Sequence, residues 1–65
     1  MRQPLTGTER IYADILLDRL KVLGYKFERR RVLPKLFGYR AVLEELSGAT
    51  DCFVDHLADE LGLKQ

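Results

Sequence analysis

An all-α, compact three-helix domain is the fold that this 65-residue chain predicts, on three observations. A capping box at Thr6 and Glu9 opens a long, widely apolar stretch. Two further apolar-periodic stretches each run up to a glycine, Gly48 and Gly62. No second strand-like run exists with which a strand could pair within the chain. The helices are expected over about 8–23, 34–47 and 50–61, with residues 1–65 forming a single domain.

The first helix should start behind Thr6, with Thr8 as a competing cap, and stop at Gly24. At helical spacing its apolar residues cover roughly two thirds of the circumference. Arg10, Asp14, Asp18 and Lys21 form the polar stripe. So wide an apolar arc is satisfied only if the helix is central to the fold, if a second subunit closes part of it, or both. Ile11, Ile15 and Val22 are assigned to such a dimer face. Arg19 falls inside the apolar arc, where its stem can pack while its head reaches water or an acid.

Residues 25–31 read as a connector, with a short extended strand paired with its copy in a dimer as the alternative. Pro34 suits the first turn of the second helix and disfavours helical geometry at Leu33. That helix should bury Leu36, Tyr39, Val42, Leu43 and Leu46, leaving Phe37 exposed beside Gly38, whose bare surface admits a close backbone contact. Thr50 should cap the third helix, which has Phe53, Val54, Leu57, Ala58 and Leu61 as its core face and Gly62 as a Schellman stop.

A chain this short buries only about 60% of its unfolded surface, so its core is marginal and self-association is the expected supplement. One cysteine, Cys52, excludes an internal disulfide and fits a reducing compartment. The first residues show neither an apolar signal core nor a cleavage pattern, and no apolar run spans a membrane, so a cytoplasmic protein without membrane contact is expected.

Charge is uneven. From Arg19 to Arg40 there are eight basic residues and one acid, a balance of +7; from Ala41 to Gln65 there are six acids and one base, a balance of −5. Lys26, Arg29, Arg30, Arg31, Lys35 and Arg40, with Phe37, are therefore the candidate contact residues. Tyr25 and Phe27 interleave with the cations, a pattern that suits phosphate contact and base stacking. Against nucleic acid stands the third helix, whose Asp51, Asp55, Asp59 and Glu60 would be repelled from a major groove. The same arginines can also pair with Glu44, Glu45, Asp55 or Asp59 of their own chain.

Catalysis is not expected. Cys52 and His56 lie one turn apart on one helix, without an orienting third group, and there is no glycine-rich phosphate loop. Cys52, His56 and Glu60 share a helix flank, yet a structural metal site wants four ligands, which only a symmetric pair of chains would assemble; neither metal nor cofactor is expected.

Residues 57–65 resemble the first helix and turn of a helix-turn-helix motif, with Ala58 four positions before Gly62. That resemblance implies a recognition helix after Gln65, and the segment equally fits an ordinary capped helix. These features lead to a small non-enzymatic regulatory or adaptor protein that binds a protein partner as a homodimer, with nucleic-acid binding through Lys26 to Arg40 as the alternative.

Overall fold

The computed structural model describes residues 4–63, which fold as four helices and one 3-10 segment with no strand among them. Helix α1 spans Gly7–Val22. Thr6 caps it as the sequence indicates: its hydroxyl accepts from the Glu9 amide at 3.3 Å, and the Glu9 carboxylate accepts from the Thr6 amide at 2.9 Å. At the other end Gly24 takes φ +100°, so that its amide reaches the Lys21 carbonyl and the Tyr25 amide reaches Leu20, a Schellman closure. Ala13, Leu16, Leu17 and Leu20 are buried against the other helices, which makes α1 the central element.

Helix α2 spans Arg29–Leu36, five residues earlier than Pro34 would suggest. The extended stretch is thus confined to 25–28; Arg29, Arg30 and Arg31 are helical, and a strand over 25–31 is ruled out. Glu28 turns the chain: its backbone is extended, its carbonyl accepts the Arg31 and Val32 amides, and its carboxylate pairs with both Arg30 and Arg31. Pro34 sits inside α2, against local preference. Burial of Val32 and Leu36, one turn apart, outweighs that preference.

Beyond α2 the backbone tightens into a 3-10 segment, Phe37–Val42, and returns to an α-helix, α3, over Leu43–Ser47. The expected helix over 34–47 is therefore one irregular helical arm that starts at Arg29 and has a tightened middle. Its core side chains are Val32, Leu36, Leu43 and Leu46. Val42, expected inside, is exposed, and Phe37, expected exposed, is half-buried, because the tighter winding rotates both away from their α-helical positions. Gly38 faces open space, so no backbone approaches it.

Helix α4 spans Asp51–Glu60, with the Thr50 hydroxyl accepting from the Phe53 amide. Gly62, at φ +76°, closes it by a second Schellman arrangement, its amide on Asp59 and that of Leu63 on Ala58. Val54, Leu57, Ala58 and Leu61 fill the core; Phe53, expected with them, is 52% exposed. On a helix turning about 100° per residue, Phe53 falls roughly 40° beyond Leu57, on the flank shared with His56 and Glu60.

Arg19 joins these helices. Its guanidinium donates to the carbonyls of Ser47 and Ala49 and to the Asp51 carboxylate, closing the end of α3 and the start of α4 with one side chain. No helix of the described residues is long and apolar enough to cross a membrane.

Candidate binding surface

Three of the candidate cations meet at one groove. Lys26, Phe27 and Glu28 from the turn after α1, together with Arg31, Val32 and Lys35 on α2, face Gly62 and Leu63 at the end of α4 across a hollow of about 500 Å³. The turn is there because the Schellman closure at Gly24 redirects the chain across α1. The 3.6-residue period then sets Arg31 and Lys35 on one side of α2. Gly62 and Leu63, the far wall, could not be foreseen as lining residues: they are about thirty positions away in the chain, and only packing brings them near.

Charge in the groove is tempered. The Arg31 and Arg30 side chains are 76% and 82% exposed, but both reach Glu28, at 3.6 and 2.9 Å. Lys35 donates to the Leu61 carbonyl at 2.7 Å, placing its cation at the negative end of the α4 dipole. Lys26 is exposed at the rim.

The other candidates lie elsewhere. Arg29 turns to α1 and pairs with Asp14. Arg40 reaches the start of α1, where it holds Glu9 at 2.9 Å and donates to the Pro4 carbonyl. That guanidinium, with the Thr6 amide assisting and partial burial opposing, keeps the Glu9 carboxyl below the usual carboxylate range. Phe37 is half-buried in the 3-10 segment and does not line the groove. The ion pairs of Arg29, Arg30, Arg31 and Arg40 thus run to Asp14, Glu28 and Glu9. The acids of α3 and α4 expected to meet Arg29, Arg30 and Arg31 take no part in those pairs.

On the outer side of α1, Ile11, Ile15 and Val22 are 60%, 42% and 79% exposed and line up within about 40° of each other on the helix surface. Asp18 lies in the same line, and Asp14 and Lys21 flank it. Lys21 stands 5.9 Å from the centre of the Phe27 ring. Cys52 is free and exposed, and among the described residues no three His, Cys, Asp or Glu side chains gather as a metal-binding group.

No family model, curated protein or solved structure matches the chain.

Proposed function

We propose that this is a small, non-enzymatic regulatory or adaptor protein of the cytoplasm that works through protein–protein contacts as a homodimer. The observation that carries the reading is the Ile11, Ile15 and Val22 line, three large aliphatic side chains exposed on the helix that otherwise supplies the centre of the core. A second copy can cover the apolar ends of this line. When two α1 helices approach antiparallel about an axis between Leu16 and Leu17, Ile11 of each meets Val22 of the other and Ile15 of each stands opposite Asp18 of the other, so the apolar ends of the line are covered while the two Asp18 carboxylates stay near its middle. The basic groove then remains free for a protein partner with complementary charge, where electrostatics favours rate and specificity over affinity.

Sedimentation velocity over a micromolar concentration range tests the dimer. Dimer at tens of micromolar, converted to folded monomer by Ile15→Asp, supports it; the wild-type chain remaining monomeric would refute it. Ile15 is exposed, so the variant keeps its core.

A second reading, nucleic-acid binding, draws on the exposed Lys26, Arg30 and Arg31 beside Phe27. It ranks lower because Arg29, Lys35 and Arg40 are engaged internally and Glu28 sits among the exposed cations. Binding to mixed DNA at low ionic strength that falls steeply with added salt would establish it.

A further inference from the structure

A second groove lies on the other half of the molecule. Tyr39 of the 3-10 segment and Leu46 of α3 form one wall, and Phe53, His56, Leu57 and Glu60 of α4 form the other, around about 310 Å³. That is at the lower end of the roughly 300–1,000 Å³ typical of ligand clefts, room for one or two anchoring side chains. Phe53 stands half in water at its edge, though Val54, Leu57, Ala58 and Leu61 already complete the inward face of α4.

Apart from Tyr39, the groove is built from an acidic stretch of chain. Residues 41–63 contain six acids and no lysine or arginine. Asp51 and Asp55 are held by Arg19 and Tyr25, whereas Glu44, Glu45, Asp59 and Glu60 are exposed. Glu60 lines the groove, and Glu45, the chain neighbour of the lining Leu46, is exposed. An apolar floor with the Glu60 carboxylate in its lining, on a chain segment with further exposed acids, selects against anionic partners by repulsion and against purely polar cations by the lack of an anchor.

We propose that this groove docks a cationic amphipathic segment of a partner protein, which places a large apolar side chain against Phe53, Leu46 and Leu57 while flanking lysines or arginines meet Glu60 and the exposed acids of α3 and α4. The surface is separate from the α1 line and from the basic groove, and the docking mode is that of an amphipathic helix laid into an apolar groove.

The test uses isotope-labelled protein, wild type and Ile15→Asp, and three synthetic peptides of equal length. One carries leucine and lysine at amphipathic helical spacing; in the second glutamate replaces lysine, and in the third serine replaces leucine. The leucine–lysine peptide should move the amide signals of Leu46, Phe53, His56 and Glu60 in both proteins, so that a failure of the dimer and a failure of the groove are told apart. The other two peptides should bind about tenfold more weakly or worse, and Phe53→Ala should cost the first peptide a similar factor. Should Phe53→Ala disturb the fold, the paired Glu45→Gln and Glu60→Gln substitutions, both at exposed positions, should instead weaken binding and flatten its salt dependence. No binding, shifts confined to other surfaces, equal binding of the glutamate or serine peptide, or groove signals that move with protein concentration alone would each overturn the proposal, the last by naming a second copy as the occupant.

Discussion

The Arg19 guanidinium stands 2.8 Å from the Asp51 carboxylate, and its other nitrogen donates to the carbonyls of Ser47 and Ala49. One cation from α1 thus fixes the α3–α4 turn. Arg19→Ala should destabilise the fold by about 1–3 kcal/mol, because part-buried carbonyls lose their donor. Asp51 is 78% exposed, so Asp51→Asn should cost less than about 1 kcal/mol. Urea denaturation of both variants checks the order; equal losses would mean that the ion pair, not the carbonyl contacts, matters.

Neighbouring positions on α4 should respond very differently to truncation. Leu57→Ala should cost about 2–5 kcal/mol through a core cavity, enough to threaten so small a domain. Phe53→Ser, at a half-exposed site, should cost under about 1 kcal/mol. Thermal melts distinguish the two, and a large loss at Phe53 would contradict its observed exposure.

Pro34 lies within α2, where an amide donor is missing and the ring crowds the preceding turn. Pro34→Ala should raise stability by about 1–2 kcal/mol, the helical gain exceeding the entropy returned to the unfolded chain. Circular dichroism should show added helicity with a higher melting temperature. A lower melting temperature would mean that the ring's packing outweighs its backbone cost.

Glu9 makes the fold acid-sensitive in a defined direction. Its carboxyl is depressed in the folded state below 4.5, first by the Arg40 hydrogen bond. The pairing therefore contributes fully above the unfolded value and is lost as pH falls through the folded one. In Arg40→Met the Glu9 carboxyl should titrate closer to 4.5, and this part of the acid dependence should fade. A carbon-detected NMR titration of Glu9 reads both; an unchanged midpoint would remove Arg40 as the cause.

The ends of α1 and α4 were legible in the sequence because each has a local chemical signal: Thr6 with Glu9, Thr50, and glycines that adopt positive φ. The start of α2 was hidden for the opposite reason. Glu28 offers no side-chain cap, three arginines occupy a first turn where the dipole disfavours cations, and Pro34 points to a later start. What decides is the burial of Val32 and Leu36, a tertiary fact. The basic groove was half legible, since Lys26, Arg31 and Lys35 stand out by charge while Gly62 and Leu63 carry no such mark. Phe53 was misplaced because hydrophobicity alone does not say where the apolar arc of a helix stops.

Helix α4 is fastened at three heights. Arg19 grips Asp51 at its first turn, Tyr25 donates to Asp55 at its middle, and Lys35 holds the Leu61 carbonyl at its end. Each link closes a loop of 26 to 32 residues, so none forms until much of the chain is ordered. Sliding α4 by one turn would break all three together, which makes its docking an all-or-none event. Its central amides should then exchange with solvent only through global unfolding, at the same free energy as those of α1, while the 3-10 segment between Leu36 and Leu43, which buries no side chain completely, opens on its own and sooner.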